Sequence, residues 1–318
     1  MKTVNIAVVG AGHLGTYHSE KLFKIEQAHL VAICDPDLAK AKALADKYSC
    51  RAISDYQTIV DQVDAVLIAA PTPLHFEIAH FFLENKKHVL LEKPITETVE
   101  QCEQLCTLAE KVSVHLQVGH VERFNPALIS AKKQLRKPLF IECHRLAPFK
   151  PRSTDVDVIL DLMIHDIDVV MSLVDSPVVS VSAVGTPVIT PYVDIANARL
   201  EFESKAVANI TASRVSQTAT RKFRVFQETQ YLSIDFGSGE LNLTTKVGDN
   251  WDNFEENMPL EFESWELEKG DALYAQDASF IQCILNNQTP IVSGRQALVA
   301  MKVAEQIRDE IGRRLADR

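Results

Sequence analysis

Val4-Asn5-Ile6-Ala7-Val8-Val9-Gly10-Ala11-Gly12-His13-Leu14-Gly15 runs from an apolar strand pattern through a glycine turn into a helical pattern. A bare GxGxxG is weak evidence, but here it stands between a strand and a helix, where dinucleotide chemistry needs it. Gly10 permits the tight turn, Gly12 lets a pyrophosphate approach the backbone, and Gly15 lets helix and strand pack closely. His13 and Leu14 then contribute backbone amides at the positive end of the helix dipole. The next apolar run, Leu30–Cys34, ends at Asp35, the carboxylate this arrangement uses to accept both adenine-ribose hydroxyls. A 2′-phosphate would be repelled there, and no arginine follows Asp35 directly, so the cofactor expected is NAD rather than NADP.

Apolar runs recur at Ala65–Ala69, His88–Leu91 and Val114–Val118, with helical patterns at Leu38–Tyr48, Leu74–Asn85 and Val99–Val112 between them. Short apolar strands separated by helices predict a doubly wound parallel sheet of the Rossmann type over residues 1–120. Beyond Gly119 the pattern changes. A helix to Arg136, a strand at Leu139–Leu146 and a helix at Val158–Val174 lead into consecutive strands from Val178 to Thr245. Two helices, Ala272–Asn286 and Gly294–Arg314, close the chain. Strands that follow one another without helices predict a mostly antiparallel open sheet, covered on one face by helices, over residues 121–318. An open sheet face that needs covering suggests a homo-oligomer built through it.

Composition sets the outer limits. The 318 residues are 46% apolar and 24% charged, and 33 Lys and Arg against 43 Asp and Glu leave a formal net charge of −10. Such a surface repels polyphosphate and anionic lipid, so neither nucleic acid nor membrane is the expected partner. No apolar run reaches the ~18 residues of a membrane span. The basic start, Met1-Lys2-Thr3, runs straight into the glycine loop and reads as the lead into a strand, not a signal peptide. Six cysteines without close pairing read as reduced thiols, consistent with the cytoplasm. Cys102 and Cys106, one helical turn apart, read as core residues or half a metal site. No other ligand spacing completes such a site, and no metal is expected.

Three stretches carry candidate chemistry. Pro71-Thr72-Pro73-Leu74-His75 follows a strand's carboxyl end, where ligands bind in doubly wound sheets. Pro71, Thr72 and His75 are therefore candidates for the cofactor pocket, and a plain strand-to-helix turn is the other reading. Glu92-Lys93-Pro94 ends a further strand. Lys93 there either points its ammonium at the cofactor's reactive end or pairs with Glu92 at the surface. In the third stretch, Asp157, Asp161, His165 and Asp168 recur at i, i+4, i+8 and i+11, making one polar stripe on an apolar helix. Asp161 can support His165 as a proton acceptor, while Asp157 and Asp168 are equally readable as a solvated face.

With these residues in hand, the chain resembles the glucose-fructose oxidoreductase/inositol dehydrogenase (Gfo/Idh/MocA) family. The likeness runs in order through Gly10–Gly15, Asp35, Pro71–His75, Glu92-Lys93-Pro94 and Asp161-x3-His165. It implies an oxidoreductase exchanging hydride between a nicotinamide cofactor and a secondary carbinol of a sugar or cyclitol. Lys93 and His165 would then be catalytic and Asp161 the supporting carboxylate, with Glu92 beside the cofactor. Gly119-His120-Val121-Glu122-Arg123-Phe124-Asn125-Pro126 and the residues around His165 further resemble the branch that oxidises the 3-hydroxyl of UDP-N-acetylglucosamine. On that likeness Arg123, Asn125, Lys150 and Arg152 become candidates for the diphosphate and acetamido groups, against loop-packing roles for each. A polyol dehydrogenase without the nucleotide handle is the rival enzyme. An NAD-binding redox sensor is the rival outside catalysis.

Overall fold

Phe280 and Ile281 join Ile6, Val8, Leu22, Ile33, Leu67 and Leu90 in one buried apolar cluster, which brings a C-terminal helix back to the N-terminal sheet. The computed structural model describes residues 2–150, 156–248, 258–267 and 270–317. Two units emerge, one of Met1–Phe124 with Asp271–Met301, the other of Asn125–Gly270 with Lys302–Arg318. The sequence places a single boundary at 120/121 and assigns Asp271–Met301 to the second domain. In the structure that stretch belongs to the first unit, because its apolar residues complete the first core.

The first unit is a parallel sheet of β1 (Val4–Val9), β2 (Ala28–Cys34), β3 (Arg51–Ile53), β4 (Ala65–Ile68), β5 (His88–Leu91) and β6 (Leu116–Val118). Its order, β3-β2-β1-β4-β5-β6, reverses direction between β1 and β4. That point is where such sheets bind their ligands. Every residue of β4 is buried, as expected of a strand covered on both faces. The connecting helices are α1 (His13–Lys24), α2 (Leu38–Tyr48), α3 (His75–Glu84) and α4 (Val99–Val112). Local chemistry fixes their ends: the Asp37 side chain caps α2, Thr98 caps α4, and Ser49 and Ser113 close them in the left-handed conformation. Cys102 and Cys106 are buried on α4.

The second unit holds α5 (Pro126–Gln134), β7 (Phe140–Leu146), α6 (Ile164–Leu173), β8 (Val178–Thr186), β9 (Ile195–Phe202), β10 (Val207–Ser213), β11 (Thr220–Phe226), β12 (Gln230–Asp235), β13 (Glu240–Lys246) and β14 (Leu260–Glu266). Their order is β14-β13-β12-β11-β7-β10-β9-β8. All neighbours are antiparallel except β7 and β10, which run parallel. Along β9, buried residues alternate with exposed Asn197, Arg199 and Glu201, so one sheet face is covered and the other open. α6 lies against β7 and β10, and α5 against β12 and β13. The remaining helices are α7 (Ala272–Asn286), in the first unit, and α8 (Gly294–Ala316), which begins in the first unit and ends in the second. Among the described residues no helix is long and apolar enough to cross a membrane.

Candidate active site

At the switch point of the first unit lies a cavity of about 690 Å³. Gly10, Gly12, Asp35 and Pro71 line it, as does a far wall of Ser54, Asp55, Tyr56 and Glu77. The glycine loop is shaped for close approach. Gly10 has φ +106°, and a Cβ on it would stand 2.6 Å from the Ala69 carbonyl oxygen. A Cβ on Gly15 would collide with the Gly10 oxygen, so α1 can start this close to β1 only through glycine. Gly12 is the N-cap of α1, and no side chain caps that helix. By contrast, α2, α4, α5 and α7 all begin under a side-chain cap. As in any helix, the first amides of α1 have no intrahelical acceptor; here no side chain caps them, and Gly12, where the helix begins, lines the cavity, an arrangement suited to an anion.

Asp35 closes the loop from the other side. Its Oδ2 accepts the Ala11 amide at 2.8 Å and its Oδ1 the Asp37 amide at 2.9 Å. His13 and Leu14 are exposed at the start of α1, and Thr72 is half-buried outside the cavity lining. His75 is 1% exposed. Its Nδ1 lies 2.8 Å from the Pro94 oxygen and its Nε2 2.8 Å from the Ala70 oxygen. That ring ties the cavity-lining turn at Ala70 to the turn carrying Lys93, whose bond to Pro94 is cis. Lys93 is half-buried, while Glu92 points inward to His18.

The polar stripe in the second unit differs from its sequence reading. Ile159–Met163 forms a π-helical turn, closed by the Ile164 amide donating to the Ile159 oxygen, before α6 continues. Single π turns of this kind occur frequently at functional sites. Asp161 and His165, both half-buried, stand one turn apart across the junction. Asp157 and Asp168 are not a solvated face, for both are buried. Asp157 Oδ1 accepts the amides of Ile159 and Leu160, and its Oδ2 accepts the Arg308 Nε at 2.7 Å. Asn125 caps α5 by accepting the Ala127 amide at 2.9 Å. Arg123 is buried in the first unit and donates to the Ile291 oxygen. Lys150 is exposed after β7, and Arg152 lies outside the described residues.

Residues 4–120 match the model of an oxidoreductase family with an NAD-binding Rossmann fold, and residues 135–233 match the GFO/IDH/MocA C-terminal domain. Over 298 residues, 92% of this chain and 93% of the other, the sequence is 36% identical to UDP-N-acetylglucosamine 3-dehydrogenase from Acidithiobacillus ferrooxidans. The chain belongs to the Gfo/Idh/MocA family. A solved structure of UDP-N-acetylglucosamine 3-dehydrogenase from that organism superposes with a TM-score of 0.91 at 33% identity, covering 98% of each chain. The scyllo-inositol 2-dehydrogenase (NAD(+)) of Bacillus subtilis is 27% identical over 94% of this chain and 92% of its own.

As a Gfo/Idh/MocA protein the chain is an NAD-dependent dehydrogenase of the CH-OH class. The cavity fits that cofactor. Open space lies where a Gly12 Cβ would stand, and Gly12, the N-cap of a helix with no side-chain cap, lines the cavity. On the β2 side, Asp35 and Asp55 would oppose a 2′-phosphate, and the nearby Lys40 ammonium lies 3.5 Å from Asp37. Ser54, Asp55 and Tyr56 were not among the expected residues because β3, the strand they follow, is short and half-exposed. The rule that ligands sit at strand carboxyl ends would have found them once β3 was recognised. Among the described residues, no three His, Cys, Asp or Glu side chains are grouped to hold a metal.

Proposed function

We propose that this dehydrogenase oxidises the 3-hydroxyl of UDP-N-acetylglucosamine to the ketone. The observation that carries the reading is the 36% identity, sustained over 92% of the chain, with a protein named for that activity. Lys93, Asp161 and His165, all present, support it. Bound NAD supplies the hydride acceptor. His165 takes the hydroxyl proton, and Asp161, one turn before it, favours the imidazolium that results. The Lys93 ammonium offsets negative charge as it develops on the sugar oxygen. Arg123, Asn125, Lys150 and Arg152 are the groups for the diphosphate and acetamido oxygens, Arg123 foremost, and Lys150 is an exposed cation. The same reading carries a cytoplasmic protein and a homo-oligomer formed through the open face of the second sheet. Light scattering that returned the 35.5 kDa of one chain would reject the oligomer.

Reduced-nicotinamide absorbance, with a carbonyl trap to draw the reaction forward, tests the activity. UDP-N-acetylglucosamine, free N-acetylglucosamine and myo-inositol serve as parallel substrates, and a signal is expected with the first alone. Lys150→Gln should raise KM for the nucleotide sugar about tenfold, the worth of one charge-assisted contact, and leave KM for NAD unchanged. Turnover of myo-inositol without the nucleotide sugar would overturn the substrate. Silence on all three by a protein that still binds NAD would favour the sensor.

A further inference from the structure

Three ionisable side chains that no step above uses as a reactant meet inside the first unit. His18 on α1 and Asp277 on α7 are fully buried, and Glu92, just after β5, is 6% exposed. His18 Nδ1 lies 3.0 and 2.9 Å from the two Asp277 carboxylate oxygens, and Nε2 lies 3.1 Å from Glu92 Oε1. With both carboxylates ionised, each ring nitrogen carries a hydrogen and the ring is an imidazolium, although burial pushes the Asp277 carboxyl above the usual carboxylate range. Burial opposes that charge, but Asp277 and Glu92 outweigh it and raise His18 to about 10. Burial likewise opposes the Glu92 carboxylate, and His18 holds it below the usual carboxylate range. The second Glu92 oxygen accepts the Lys93 amide at 3.3 Å. Gly119 closes over the carboxylate, for a Cβ there would collide with Oε1.

We propose that His18 is a positioning residue: clamped by Asp277, it holds the Glu92 carboxylate inward and so sets the backbone and charge surroundings of Lys93. This rests on the role given to Lys93 above. Glu92 and Lys93 are adjacent in sequence, and a neighbouring pair on a surface turn would pair with each other. The buried imidazolium commits the carboxylate elsewhere. Without it, two buried carboxylates would face one another, and Glu92 would turn toward Lys93 or take a proton.

Two variants divide the clamp, since an Asn amide nitrogen stands near the place of imidazole Nδ1 and a Gln nitrogen near that of Nε2. His18→Asn keeps the Asp277 contact and loses Glu92. His18→Gln combined with Asp277→Asn keeps the Glu92 contact and strands no carboxylate. Competitive acetylation of Lys93 by acetic anhydride, read by mass spectrometry, needs no substrate. The expected result is a change of about fivefold or more in His18→Asn and a rate within about twofold of wild type in the double variant. His18→Asn should also lower kcat about tenfold with the NAD dissociation constant unchanged, as misplacement rather than lost binding predicts. Equal acetylation in all three proteins overturns the proposal. If His18→Asn fails to fold, ¹⁵N-histidine spectra of the wild type decide it: two ring protons on His18 at pH 9 are expected, and a neutral ring overturns it. Lys93→Met in the same turnover assay keeps the two ideas apart. Retained turnover there would remove the role of Lys93, while acetylation would still decide the clamp.

Discussion

His165→Ala lowers kcat by about a thousandfold while the dissociation constant for NAD stays within about twofold, because the two properties reside in different units. A positioned proton acceptor contributes on the order of 10²–10⁴ to a rate. The alanine variant removes the imidazole and leaves the backbone of α6 unchanged. All the cavity-lining residues, from the glycine loop to Glu77, belong to the first unit, whereas His165 belongs to the second. Steady-state turnover of UDP-N-acetylglucosamine, with NAD affinity from quenching of protein fluorescence, measures both. Turnover within tenfold of wild type would move the proton-accepting role to another residue. A parallel loss of NAD affinity would mean that the substitution damages the fold.

How much of this was legible in the sequence follows from distance along the chain. Gly10, Gly15 and Asp35 act through the backbone of their own βαβ unit, so spacing alone located the loop and the acid. The doubly wound sheet and the antiparallel sheet were legible for the same reason, since each strand announces itself locally. β3 and β14 were not, because β3 is three residues long and β14 mostly exposed, so neither shows an apolar run. β14, Leu260–Glu266, is mostly exposed and carries three glutamates, the charge that keeps an edge from pairing further. Asn125-Pro126 is a helix-start signal, a capping residue followed by proline at the first position. The structure uses Asn125 in that way. The π turn was beyond reach, since one wider turn leaves the apolar pattern nearly unchanged. His18 and Asp277, 259 positions apart, meet only because α7 returns to the first core, and nothing local in either segment records it.

Arg145 and Asp166 escaped notice in the same way, and they form a buried ion pair in the second unit. Arg145 is 5% exposed on β7 and Asp166 3% on α6, the residue after His165. The guanidinium reaches the carboxylate with two prongs, Nε to Oδ2 at 3.0 Å and Nη2 to Oδ1 at 2.8 Å. Both charges have left water, so removing one strands the other, at a cost of about 3–5 kcal/mol. Arg145→Met should therefore lower the urea-unfolding free energy by that amount. Arg145→Met with Asp166→Leu should recover most of it, since an apolar pair needs no compensation. Why a protein would keep an ion pair that packing could replace is answered by its neighbour. The two-pronged contact fixes α6 on β7 in both translation and rotation, and α6 carries His165 in its first turn. The double variant should then be stable yet slower than wild type, with kcat reduced and KM for NAD unchanged. Full activity in that stable variant would reduce the pair to a structural tie. A loss below about 1 kcal/mol in the single variant would mean that water or another group already compensates Asp166.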